Sequence, residues 1–182
     1  GAPSNDGNGT SSGHVRVYQN IDNTWIQIGD DIDGESSGDD SGSSVDLSSD
    51  GSIVSISAPD NDSIATTHAG EYGQVRVYQN IDNAWIQIGD DIDGEGMRNY
   101  SNAHGLSNNG SIIAIGAGNN SGTTTRCGHV RVFKNLDNTW IQIGDDIDGE
   151  SSPDSPDNLG STVCLSNDGK IVAIGAYDLG DD

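Results

Sequence analysis

Basic side chains are scarce: seven Lys and Arg stand against 29 Asp and Glu, for a formal net charge of −22. Phosphate backbones are bound by clustered Lys and Arg, so nucleic acid is excluded as a partner, and anionic membrane surfaces are disfavoured for the same reason. Long apolar runs are also missing. No stretch approaches the roughly 20 residues a membrane-spanning helix needs, so no membrane span is expected. Hydrophobic residues make up 31% of the 182-residue chain, a low share, but one large enough for a single domain with a core. Two cysteines and one methionine suit a secreted acidic protein better than a cytosolic enzyme. Gly1 in place of an initiator Met marks a processed product or a portion of a longer chain, and no signal peptide is present. Helical periodicity is absent throughout. Val, Ile, Trp and Tyr instead gather in short alternating runs separated by Gly, Ser, Asn and Asp, which is the pattern of turn-rich β structure.

What is present is repetition. GHVRVYQNIDNTWIQIGDDIDGE at 13–35 recurs at 73–95 with Gln74 and Ala84 as the differences, and at 128–150 with Phe133, Lys134 and Leu136. A looser element follows each copy: SVDLSSDGSIVSISAP at 44–59, HGLSNNGSIIAIGAG at 104–118 and VCLSNDGKIVAIGAY at 163–177. Such self-similarity marks a repeat architecture. The chain is read as a single repeat domain, 1–182, with units 13–72, 73–127 and 128–182 and an inter-repeat loop at 1–12.

Each unit predicts four short antiparallel strands. Val15 and Val17 alternate with His14, Arg16 and Tyr18; a turn at Asn20–Asn23 leads into Trp25–Ile28. Two further strands, Val45–Leu47 and Ile53–Ser57, flank Ser49-Asp50-Gly51. Asn109-Gly110 and Asp168-Gly169 repeat that turn, and N-G or D-G between apolar alternations is a strong hairpin signal. The expected fold is all-β: a β-propeller-like array of three four-stranded antiparallel blades. A β-solenoid is the competitor, though its coils are shorter and lack hairpin turns. Three blades are too few to close a ring, and the ends of the chain are complementary halves of one blade. The expectation is therefore a piece of a larger propeller, a ring closed by two chains, or a head-to-tail filament.

Gly42-Ser43-Ser44-Val45, Gly160-Ser161-Thr162-Val163, the AP, AG and AY strand ends and the GxVRVY starts resemble the FG-GAP repeats of integrin α-chain propellers and related secreted repeat proteins. The resemblance spans all three units and implies blades at a cell surface or outside the cell. Leu159 stands nearest the family's leading Phe. SSDGS, SNNGS and SNDGK replace its DxDxDG calcium loop, so no calcium site is carried over to that hairpin.

Several constellations invite chemistry. Asp31, Asp33 and Glu35 alternate, as do Asp91, Asp93 and Glu95, and Asp146, Asp148 and Glu150; on one side of a strand they would offer oxygens to Ca2+, the candidate cofactor. A solvated acidic rim is preferred, because the spacing matches no EF-hand loop. Trp25, Trp85 and Trp140 would make glycan-stacking platforms in a lectin, yet their flanking Ile residues favour packing between blades. Arg16, Arg76 and Arg131 are expected to pair with a repeated carboxylate between blades. Asn8, Asn61, Asn99, Asn109 and Asn119 begin N-glycosylation sequons. Cys127 and Cys164 form a candidate disulfide, with pairing and no pairing both left open. His14 and His129 are equivalent but unit two has Gln74, so no shared role is read; His68 and His104 fall in loop or variable context. There is no nucleophile motif and no phosphate loop. Loops 96–103 and 151–158 are the only places left for a unique pocket, so an enzyme is not expected.

The sequence therefore predicts a non-enzymatic, extracellular or cell-surface, structural or adhesive repeat protein that self-assembles through its blades, as a glycosylated filament or surface-layer subunit. The alternative is a lectin-type propeller binding carbohydrate at repeated Trp and Asp.

Overall fold

The structure is a computed structural model, and it describes residues 1–62, 72–95, 103–118, 127–150 and 158–176. All regular structure among them is β, in antiparallel sheets. The first copy of the long motif gives β1 (His14–Val15), β2 (Tyr18–Ile21), β3 (Thr24–Gln27) and β4 (Ile32–Asp33). The hairpin after it is β5 (Val45–Leu47) and β6 (Ile53–Ala58). The second copy gives β7 (Gln74–Ile81), β8 (Ala84–Gln87) and β9 (Ile92–Asp93), followed by β10 (Ala103–Leu106) and β11 (Ile112–Ala117). The third gives β12 (His129–Leu136), β13 (Thr139–Gln142) and β14 (Ile147–Asp148), and the last hairpin is β15 (Thr162–Leu165) and β16 (Val172–Gly175).

Sheets form across the repeat boundary. β5 and β6 continue onto β7 and β8, with β9 pairing the near end of β7; β10 and β11 continue likewise onto β12 and β13, with β14 on β12. Each complete sheet therefore has five strands rather than the expected four. The extra strand is the Ile-Asp pair of the acidic stretch, which reaches the end of the long strand that the Trp strand leaves free. No closed barrel or propeller ring forms among the described residues.

Local chemistry explains the hairpins. In the turn Asp22-Asn23 both residues have positive φ (50° and 65°), and Asp82-Asn83 and Asp137-Asn138 do the same. Two left-handed residues in a two-residue loop twist with the strands they join, and Asp and Asn are the non-glycine residues that tolerate this conformation. The long strand runs unbroken for eight residues in β7 and β12 but is split into β1 and β2 in the first copy. β7 lies beside β6 and β12 beside β11; among the described residues the first copy has only the single bridge from Ala2 to His14 at that place.

Both faces of the central strands are covered. Gln74, Val75, Arg76 and Val77 are all buried in succession, which alternation alone would not produce. One apolar cluster joins Val15, Val17 and Ile32 to Val54, Ile56 and Tyr78. A second joins Val75, Val77 and Ile92 to Leu106, Ile113, Ile115 and Phe133. The sheets thus stack along the chain, and each cluster is the filling of one seam.

Candidate functional site

The seams hold the repeated polar residues. The Trp85 indole Nε1 donates to the carbonyl of Ile28 at 2.9 Å, and Trp140 Nε1 donates to Ile88 at 2.9 Å. Next to each acceptor is a left-handed glycine. A Cβ on Gly29 would lie 2.6 Å from Trp85 Cδ1, and one on Gly89 would lie 2.6 Å from Trp140 Cδ1. The amides of these glycines donate to Asn83 Oδ1 and Asn138 Oδ1, each at 3.0 Å. Among the described residues no sheet covers Trp25, which is 68% exposed. Gly144, at the other side, has nothing within 4 Å of its would-be Cβ. The packing role expected for tryptophan therefore holds for Trp85 and Trp140, with each indole N–H already committed to backbone.

Arginine follows the same rule. Arg76 lies 3.6 Å from Glu35 and donates to the Asp33 carbonyl at 3.0 Å; Arg131 lies 3.4 Å from Glu95 and donates to the Asp93 carbonyl at 2.7 Å. Each buried guanidinium also stacks on the aromatic two residues along, Tyr78 or Phe133. Arg16 finds no carboxylate from an earlier unit and closes a two-bond fork on Asp31 instead, at 2.8 and 2.7 Å. That fork, with a third hydrogen bond from Gln27, holds the Asp31 carboxyl well below the usual range.

The acidic stretches do not assemble as a cluster of their own. Asp31 turns to Arg16, while Glu35 turns across the seam to Gln74 and Arg76. Asp91 accepts from Gln87 at 2.7 Å, and burial, followed by the nearby Glu35 charge, pushes its carboxyl up. Asp148 and Glu150 are exposed. Carboxylates are instead shared between units: Glu95 of unit two meets His129 and Asp146 of unit three. His129 was missed by comparing repeats column by column, because Gln74 breaks the column; Gln74 in fact occupies the corresponding place and donates to Glu35 at 3.0 Å.

His104 is also misplaced by the sequence reading. It belongs to β10 and is buried between sheets, with Nε2 3.3 Å from the Ser55 carbonyl and Nδ1 without a hydrogen-bond partner. Burial pushes its pKa down to about 4.

Neither cysteine is disulfide-bonded; Cys127 is buried and Cys164 exposed. Cys127 precedes β12 in one sheet and Cys164 lies on β15 in another, so the candidate disulfide does not form. Among the sequon asparagines, Asn8 and Asn109 are exposed. Asn61 is 3% exposed, and a glycan on its amide is incompatible with this packing. Asn99, Asn119 and His68 lie outside the described residues, as do 96–102 and 151–157 of the two variable loops. An open recess of about 500 Å³ lies beside Trp25, lined also by Tyr18, Ile28, Leu47, Asp50 and Asn80. A smaller one of about 290 Å³ lies against Val45, Leu47 and Val54.

No family model and no curated protein matches the chain. Among solved structures it is similar to the Kuenenia stuttgartiensis hydrazine synthase, at 13% identity and a TM-score of 0.41, over 76% of this chain. The chain spans 45% of that protein's length. At that score the likeness carries no argument about activity.

Proposed function

We propose that the chain is a non-enzymatic, extracellular structural or adhesive repeat protein, built from propeller-like blades of the FG-GAP kind, which self-assembles through the uncovered half-seams of its outermost sheets. The observation that carries this reading is the seam itself. Inside the chain it is made twice with the same atoms: indole to carbonyl, glycine amide to asparagine, arginine to a carbonyl and a glutamate. On one side of the stack Asn23, Trp25 and Arg16 present the donor half without an acceptor from another unit. On the other, Ile143, Gly144 and Glu150 present the acceptor half, exposed.

The sheets are incomplete in a matching way. Among the described residues, β2 lacks a neighbour of the kind β6 supplies to β7, and β16 lacks one of the kind β12 supplies to β11. Val45 and Leu47, 43% and 46% exposed, border the recesses where a preceding hairpin would sit, as β10 sits on β5 and β15 on β10. A second copy meets these requirements residue for residue, and repetition of one heterologous contact yields a ring if it closes and a filament if it does not. The carbohydrate-binding alternative retains Trp25, whose ring stands open beside the recess, and Ca2+ remains a candidate ligand of the acidic stretches.

Light scattering on the purified chain, with calcium and then with chelator, tests the reading. A discrete multiple of the monomer mass, or an open-ended mass, reduced to monomer by Trp25→Ala is expected. A wild-type chain that stays monomeric at high concentration overturns it. Glycan binding lost in a folded Trp25→Ala would favour the lectin instead.

A further inference from the structure

The seam between the two five-stranded sheets brings together one group of metal-ligating side chains. Glu95 follows β9, His129 opens β12, and Asp146 lies between β13 and β14. They come from three stretches of chain, yet one ligand atom of each lies within 4.8 Å of the others. His129 Nδ1 is 4.0 Å from Asp146 Oδ2. The histidine is 3% exposed, whereas the Asp146 and Glu95 side chains keep 31% and 48% exposure, so the carboxylates form the solvent side of the group. The aspartate is held in place. Gln142 Nε2 donates to its Oδ1 at 2.7 Å, which leaves Oδ2 directed at the imidazole. Arg131 reaches Glu95 only through Oε1, at 3.4 Å, and Oε2 stays available.

The earlier seam offers an independent observation at the same place in the fold. There the corresponding residues are Glu35, Gln74 and Asp91. Gln74 is fully buried; its Nε2 donates to Glu35, but its Oε1 has no hydrogen-bond partner. A buried acceptor left unpaired is costly, and such a group calls for a donor, a water or a cation. Burial and the Glu35 charge both work against an ionised Asp91 in this seam. At this position in the earlier seam, then, Gln74 aims an unpaired acceptor into the space between the sheets.

We propose that Glu95, His129 and Asp146 form a binding site for a divalent transition-metal ion of the Zn2+ class. One imidazole nitrogen with two carboxylate oxygens suits such an ion better than Ca2+ or Mg2+, which take oxygen alone. Three protein ligands leave a fourth position for water. Because Glu95 belongs to one sheet and the other two ligands to the next, the ion joins the sheets. The Gln74 seam, with an amide in place of the imidazole, is the natural control. The site lies within one chain, so it stands or falls independently of self-association.

The test is calorimetric titration of metal-free protein with Zn2+, repeated with Co2+ and read by visible absorption. Wild type is expected to bind one equivalent that saturates before the general weak binding of an acidic surface, with a Co2+ spectrum showing nitrogen ligation. His129→Gln recreates the arrangement already present at Gln74, so it should fold and lose that equivalent, with affinity down about tenfold or more. Gln74→His should gain a second equivalent. Asp146→Asn, which retains His129, should weaken binding by a similar factor. Unchanged affinity and stoichiometry in folded His129→Gln, or in folded Asp146→Asn, overturns the proposal, as does a Co2+ spectrum of oxygen-only ligation.

Discussion

Trp85 reaches across a seam to donate its indole N–H to the Ile28 carbonyl at 2.9 Å, and the Cβ that Gly29 lacks is what lets the ring approach. Trp140 repeats the relationship with Ile88 and Gly89. A near-identical sequence motif thus does two things at once: its Trp closes the seam behind it and its Ile-Gly receives the Trp of the next unit. Stability is passed from neighbour to neighbour, as stacked repeats require.

Truncating these tryptophans should have unequal effects. Trp140→Ala removes a half-buried ring and a hydrogen bond to backbone, and should cost about 3 kcal/mol, the lower end for large aromatic truncations. Trp25→Ala removes a ring that is 68% exposed and should change monomer stability by less than about 0.5 kcal/mol. Urea unfolding of the two variants checks the difference, and equal losses would remove the distinction between closed and open seams.

The glycines make a paired test. Gly89 and Gly144 share a left-handed backbone, with φ of 74° and 78°, so alanine at either pays a similar conformational penalty of about 1 kcal/mol. Only at Gly89 does the new Cβ meet an indole. Gly89→Ala should therefore be the more destabilising by about 1–3 kcal/mol, the usual range for overpacking. Comparable melting temperatures for the two variants would show that the ring moves aside freely.

Much of this was legible from residues alone. D-G and N-G fixed the hairpins, period-two alternation located β5, β6 and their counterparts, and the flanking Ile residues pointed Trp toward packing. What stayed hidden depends on which strands become neighbours. Ile32-Asp33 is too short to register as a strand until it pairs with β1. His104 stands in β10 where the other units carry Val45 and Val163, so composition disguised it as loop. The meeting of Glu95 with His129 joins two repeats, and a comparison that aligns repeats with one another cannot reveal contacts between them. The cysteines show the same limit, since their separation is set by sheet membership.

Asp50 illustrates a turn whose chemistry survives substitution. Its carboxylate accepts from the Ser52 amide at 2.9 Å and from the Ser48 and Ser52 hydroxyls at 2.7 and 2.8 Å. Those donors, the Ser52 amide first, lower its pKa to about 2. A carboxyl whose pKa is depressed on folding contributes stability above its unfolded value, and that contribution is lost as pH falls toward the folded one. The window is therefore about pH 4 down to 2. Asn109 Oδ1 accepts the equivalent three bonds. Asp50→Asn should keep the turn and abolish the acid-sensitive part, whereas Asp50→Ala should lose stability at every pH. Unfolding midpoints at pH 7 and pH 3 separate the two.

His104 sets a second, higher window. Burial between sheets is the main reason its pKa falls to about 4, outweighing the Ser55 carbonyl and the Asp46 charge, which both favour the cation. The unfolded chain binds a proton near pH 6.5 and the folded chain does not, so stability declines as pH drops from about 6.5 to about 4 and levels off below. The slope approaches 1.4 kcal/mol per pH unit and the total is roughly 3 kcal/mol. His104→Val installs the residue found at positions 45 and 163, which pair with Ile56 and Ile174 as His104 pairs with Ile115. The variant should unfold with a flatter pH profile across that window. Asp91, whose raised pKa acts in the opposite direction, is common to both proteins and cancels in their difference. A wild-type minus variant difference that does not change between pH 7 and pH 4 would mean the imidazole already takes its proton inside the fold.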